Sequence, residues 1–254
     1  MSKMIGRYDF AFDDKYFGIS RNYHEREVPM DAQQAGVAFT ALAAKIFGGE
    51  IDSVTETLDG RPFTKPVWGK IFQADMYRRG AEIRAAGELR EGQSTGHGVV
   101  KYSITRFVPA QEIHFAFHRH LAMRGGHAFV IRPGAQPDTA IISHEIHAQP
   151  ILYTRLIWPL FLRYFHDAVV EDIFDAGLDY LGFPPQERAD FPWPVRVGAT
   201  LMQTRLGQWA WTALSSASEL IDRDWGRNPF NEQGIPTDLD FSSVARHRVP
   251  ELEQ

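Results

Sequence analysis

The spacing of apolar residues changes once along this chain, near Gln149, and that change limits the folds open to it. Before it the period is two. Val100, Tyr102 and Ile104 alternate with Lys101, Ser103 and Thr105 over Val99–Phe107. Ile113, Phe115 and Phe117 alternate with His114, Ala116 and His118 over Ile113–Arg119. Glu82–Leu89 reads the same way, with Ile83, Ala85 and Leu89 on one side. His127–Arg132 follows Gly125-Gly126, and Thr139–Ala148 follows a turn at Pro133-Gly134. Alternation puts one face of each strand in the core, and turns between near neighbours predict an antiparallel meander. After Gln149 the period lengthens: Leu162, Phe165, Val169, Ile173, Ala176 and Tyr180 step by three or four, the stripe of a helix. Pro159 suits its first position and Gly182 the residue after its last. A helix over Pro159–Leu181 would be about 35 Å long at ~1.5 Å per residue, enough to cross a sheet.

The flanks carry weaker signals. Residues 1–22 are aromatic and polar without a period and read as an N-terminal arm. Tyr23–Met30 suits a strand, and Asp31 suits the N-cap of a helix over Gln33–Phe47 that Gly48-Gly49 ends. Glu50–Arg79 shows turn signals at Asp59-Gly60 and Lys65-Pro66. Pro184, Pro185, Pro192 and Pro194 make a stiff connection to a weakly helical stretch over Val195–Asp222. From Gly226 onward the chain is polar and rich in turn residues.

The segments GHGVVKYSITRFVPAQEIHFAF (96–117), GGHAFVIRP (125–133), TAIISHEIHA (139–148) and HDAVVEDIFDAGLDYLG (166–182) resemble the SRPBCC, or START-like, superfamily over about residues 23–182. That resemblance implies an α+β helix-grip fold: a curved antiparallel sheet wrapped around a long C-terminal helix, with an apolar cavity between them. The chain then divides into the arm 1–22, the helix-grip domain 23–182 and a C-terminal extension 183–254. Trp193, Trp209, Trp211 and Trp225 should bury the extension against that domain or against a second copy, so a homodimer is in view.

Composition removes several classes of function. There is no cysteine, so disulfides, thiolate metal sites and a Cys nucleophile are out. Lys and Arg number 27 against 32 Asp and Glu, a formal charge of -5, and no basic stripe marks a nucleic-acid surface. No apolar run reaches the ~18 residues of a membrane span, and no apolar leader opens the chain, so a cytoplasmic protein is expected. Gly96-x-Gly98 lacks the third glycine of a dinucleotide site, and neither a phosphate-binding loop nor a G-x-S-x-G elbow is present. No cofactor is expected.

Ten histidines invite a metal reading. His118 and His120, with His114 in phase, share a strand face opposite the apolar Ile113, Phe115 and Phe117, so they should meet solvent and hold no metal. Glu171, Asp172 and Asp175 should likewise form a solvated face of the long helix, with Arg163 and Asp167 an exposed pair. His144 lies in phase with Ile142 and Ile146, and His127 with Phe129 and Ile131, so both should point between sheet and helix. His166 adjoins the apolar stripe. Such a histidine is either a general base, a hydrogen-bonding group for a ligand, or a core side chain with a polar partner.

Two functions follow. In one, a small hydrophobic molecule (lipid-like, aromatic or polyketide-like) binds against Tyr102, Ile104, Phe115, Phe117, His127, Phe129, Ile142, His144, Ile146 and Val169. In the other, His144 or His166 is the general base of a cyclase or dehydratase acting on a polyketide-like substrate. Both ask for a cavity of about 300 Å³ or more. No carboxylate shares the inward face of the His144 strand to orient that base, which favours binding.

Overall fold

The computed structural model describes residues 7–11, 19–50, 57–58, 61–62, 75–118, 123–150, 154–184 and 193–225. Strands β1 (Arg7–Ala11) and β2 (Ile19–Val28) precede helix α1 (Ala32–Gly48). A short hairpin, β3 (Thr57–Leu58) and β4 (Arg61–Pro62), is followed by helices α2 (75–79) and α3 (Ala81–Ala86). Five strands come next: β5 (Ser94–His97), β6 (Val100–Val108), β7 (Glu112–Phe117), β8 (Met123–Pro133) and β9 (Ala140–Pro150). The chain then runs through α4 (Thr154–Ile157), a π-helical turn (Trp158–Leu162), α5 (Arg163–Leu181), α6 (Trp193–Gln203) and α7 (Arg205–Trp225).

Seven strands form one antiparallel sheet in the order β1-β2-β9-β8-β7-β6-β5. Period two and the register align whole rows of side chains across it. One row runs Asn22, Ile146, His127, Phe115, Ile104, and the next runs His24, His144, Phe129, Ile113. Helices α1 and α5 lie on this face: Phe39 of α1 and Phe174 of α5 both meet the Phe129 ring, at 5.3 and 6.3 Å between centroids. The result is an α+β fold of the helix-grip kind. Asp31 caps α1 by accepting from the Gln34 N–H, and Gly49 ends it in the left-handed region, as its sequence predicts.

Several expectations need correction. Glu82–Leu89 is not a strand, because Ala81–Ala86 forms a helical turn and a half between Gly80 and Gly87. Ile83 is buried while Ala85 is exposed, which breaks the alternation. Ala, Glu and Arg are strong helix formers, and so short a segment cannot display a period. The arm boundary at residue 22 falls inside β2, and β1 pairs with that strand. Pro159 does not start the long helix. The chain is already helical at Thr154, and Pro159 sits inside the π turn. Proline has no N–H and its ring clashes with the carbonyl four residues back, so a wider turn accommodates it. The helical stretch expected over Val195–Asp222 is present, as two helices, α6 and α7.

The acidic face of α5 is not solvated: Asp167, Glu171, Asp175 and Asp179 are all buried. Asp167, Glu171 and Asp175 meet Asn22, His24 and Arg26 on the inner face of β2. On the outer face, His114 and His118 are buried as well, against the expectation of solvent. Glu112 lies 3.0 Å from His114 Nε2, and the Ser103 hydroxyl lies 2.8 Å from His118 Nε2. His120 and the turn signal at Lys65-Pro66 lie outside the described residues.

The extension docks on the helix-grip body through Trp211 and Ser215, among other contacts. Trp211 Nε1 donates to Asp75 (2.9 Å), and Ser215 donates to the same carboxylate (2.7 Å). Trp193 and Trp209, expected to be buried, are 70% and 69% exposed. Trp211 also lies over Gly98, whose φ is +54°, and a Cβ there would stand 2.1 Å from the indole. Gly98→Val should therefore strain the β5–β6 turn and lift α7, raising protease cleavage within 193–225. Unchanged cleavage would contradict this docking.

Candidate functional site

A cavity of about 160 Å³ lies between the sheet, the start of α5 and the two final helices. It is about half the expected size. Its wall includes Tyr102, Phe117, His127, Phe129, His144 and Ile146 from the sheet, and His166 and Val169 from α5, all anticipated from sequence. Ile104, Phe115 and Ile142 are buried but do not line it. Phe115 is screened by its neighbours: it stacks on His127 at 4.6 Å and meets Phe47 of α1 at 4.9 Å. Ile104 pairs with Phe115, and Ile142 pairs with Ile131 and Arg26 one row further on. Phe47, Met76, His97, Trp158, Met202 and Trp211 also line it and come from elements whose approach no local pattern foretells. Leu162, Phe165, Met202 and Trp211 are only half-buried and mark where the cavity nears the surface.

Four imidazoles face this space. Burial is the main cause holding each below the ordinary histidine range. It brings His97 to about 3 and lowers His127, His144 and, despite the Asp167 carboxylate beside it, His166. They are therefore neutral, and each offers one donor and one acceptor nitrogen. His127 Nδ1 and His144 Nε2 share a hydrogen bond at 3.1 Å. His144 Nδ1 is buried with no hydrogen-bond partner among the described residues. A polar atom left in that state costs about 1–3 kcal/mol, unless something else meets it.

Behind this group lies a buried ionic cluster, which the phase of β2 explains. Alternation turns Asn22, His24 and Arg26 inward, and α5 presents Asp167, Glu171 and Asp175 at four-residue steps along the facing side. Asn22 Nδ2 donates to Asp167 Oδ1 (2.9 Å), which also lies 3.2 Å from His24 Nε2. His24 Nδ1 lies 2.6 Å from Glu171 Oε1, and Arg26 donates to Glu171 Oε2. Burial opposes charge on His24, but its hydrogen bonds to Asp167 and Glu171 outweigh burial and raise its pKa. Burial works the same way against Asp167 and Glu171. Their histidine and Arg26 partners prevail and hold both carboxyls below the usual range. His166 Nδ1 lies 3.5 Å from Asp167 Oδ1. The orienting carboxylate that the His144 strand lacks is thus supplied to His166 by its neighbour in sequence.

On the outer face, burial raises the Glu145 carboxyl to about 7. Its unfolded counterpart ionises near 4.5, so between those values the unfolded chain binds fewer protons and stability falls as pH rises. Glu145→Gln should remove that slope and stabilise the protein at pH 8 by about 3 kcal/mol, at ~1.4 per pH unit. Denaturant melts at pH 4 and pH 8 check this, and parallel profiles for parent and variant would count against it.

No protein-family model matches the chain, and no curated protein does. Among solved structures, CalU16 from Micromonospora echinospora is 10% identical with a TM-score of 0.40, covering 83% of this chain and 96% of its own. Norcoclaurine synthase from Thalictrum flavum is 11% identical with a TM-score of 0.40, covering 64% of this chain and 96% of its own. A conserved protein of unknown function from Enterococcus faecalis is 11% identical with a TM-score of 0.37, covering 79% and 92%. Among the described residues no helix is long and apolar enough to cross a membrane.

Proposed function

We propose that the cavity binds a small aromatic molecule bearing one hydrogen-bonding group. The observation that carries this reading is His144, whose Nδ1 has no hydrogen-bond partner among the described residues, in the wall of a cavity lined mostly by apolar side chains. Its volume of about 160 Å³ is well below that of a drug-sized pocket. It is close to the ~150 Å³ of an engineered apolar cavity known to take up benzene. A single ring fits such a space; a long acyl chain or a multi-ring polyketide does not. Aromatic and aliphatic walls supply the apolar contact, and neutral imidazoles give or take one hydrogen bond without the cost of burying charge.

The His166–Asp167 pair favours a second reading, an enzyme of the cyclase or dehydratase type with His166 as general base. A low pKa weakens a base, but a carboxylate at 3.5 Å orients it and stabilises the imidazolium that forms. Thermal-shift and calorimetric titration with phenols, benzoates, aromatic aldehydes and fatty acids tests the binding reading. Single-ring compounds should stabilise the protein and fatty acids should not, and a flat response across the single-ring set would remove it. With a binding compound in hand, His166→Ala separates the two: turnover lost with affinity kept indicates an enzyme, and no turnover by the parent indicates a carrier or sensor.

A further inference from the structure

We propose that His24, His166 and Asp167 form a site for a first-row divalent cation such as Zn²⁺ or Fe²⁺, which His166 joins to the cavity wall. One donor atom from each residue lies within 4.8 Å of the other two. Two of the separations are close to those a metal imposes. His24 Nε2 to Asp167 Oδ1 is 3.2 Å, and His166 Nδ1 to Asp167 Oδ1 is 3.5 Å. Ligand atoms ~2.1 Å from a tetrahedral zinc ion stand ~3.4 Å apart. Two imidazoles and a carboxylate form a donor set suited to zinc or non-haem iron, and unsuited to calcium or magnesium.

The surroundings match what such ligands need. A metal-bound histidine normally donates its other ring N–H to a carboxylate, which fixes the ring and the tautomer. His24 Nδ1 has that partner in Glu171 at 2.6 Å, and Arg26 in turn holds Glu171. Asn22 Nδ2 orients the Asp167 carboxylate. His24 is fully buried on β2, and the other two follow each other on α5, so all three ride on rigid elements. The sequence of β2 alone does not mark His24 as interior; its pairing with the inward His144 of β9 does. A histidine binds a metal through an unprotonated ring nitrogen. A cation competes with protons for that nitrogen, so binding weakens as pH falls. Three protein ligands leave a position open, and one of the three, His166, also lines the cavity. The site does not rest on the ligand reading, since it needs only these side chains.

The test is titration of tag-free, metal-stripped protein with Co²⁺, read by its visible d–d absorption and by thermal melting. The expected result is one Co²⁺ per chain, with absorption bands of a low-coordinate site and a raised melting temperature. His166→Ala and the isosteric Asp167→Asn should each weaken binding at least tenfold, while His118→Ala, outside the cluster, leaves it unchanged. His166 is half-buried, so its truncation should leave the chain folded, which the melt itself reports. Failure of the parent to bind one equivalent, or binding by His166→Ala at the parent's affinity, would overturn the site.

Discussion

Glu171→Ala is expected to lower stability by about 3–5 kcal/mol, the usual cost of deleting one partner of a buried ion pair. Glu171 is 1% exposed and receives both His24 Nδ1 and Arg26. Removing it takes from His24 and Arg26 the carboxylate they share, leaving Asp167 3.2 Å from His24 and Asp175 4.0 Å from Arg26. Glu171→Gln keeps the shape and one hydrogen bond and should cost less. The pH dependence has a definite sign. His24 has a raised pKa in the fold, so its contribution is complete below the unfolded value near 6.5 and is lost as pH rises through the folded one. Without Glu171 that alkaline loss should shrink. Chemical denaturation across pH 5–9 measures both effects, and a loss below about 1 kcal/mol would mean that the cluster contributes little to the fold.

Phe129→Ala should cost a similar amount, about 3–5 kcal/mol, because it removes a ring at the centre of the core. That ring is 2% exposed and touches Phe39 of α1, Phe174 of α5 and His144 of β9. Phe129 also lines the cavity, so the space its ring leaves should join it. The variant is therefore expected to be less stable yet to accept larger ligands. Thermal shifts from naphthols should exceed those from phenol in the variant, with the reverse order in the parent. An unchanged order would place the binding space elsewhere.

Much of this arrangement is legible in the residues, and what is not has identifiable causes. Ile113, Phe115 and Phe117 announce β7, and Ile142, His144 and Ile146 announce β9, because alternation survives whatever the strand packs against. Asp31 and Gly49 announce the ends of α1 because caps are local chemistry. The inward position of His144 and His127 follows from phase alone. The ionic cluster does not: Glu171 and Asp175 on a helix read as a solvent face unless a polar strand face is known to oppose them. A signal was present, since Asn22, His24 and Arg26 alternate on β2 with the same polarity that Asp167, Glu171 and Asp175 show at helical spacing. The burial of Glu145 and Ser143 on the outer face of β9 is another such case. Long side chains of the flanking strands meet over them: Arg132 donates to the Tyr23 hydroxyl, and Tyr23 to Glu25. Cavity size was the least legible quantity, because Trp158, Met202 and Trp211 enter its wall from the π turn, α6 and α7.

Methyl NMR of metal-free protein titrated with phenol tests the binding of a single-ring molecule beside His144 most directly. Ile146 and Val169 line opposite sides of the cavity, one on β9 and one on α5. Their methyl resonances should shift in a saturable way, toluene should shift them with weaker affinity for want of a partner for His144 Nδ1, and Val169→Phe, which fills the space, should abolish the response. Phenol shifts absent from both methyls, or persisting unchanged in Val169→Phe, would contradict it.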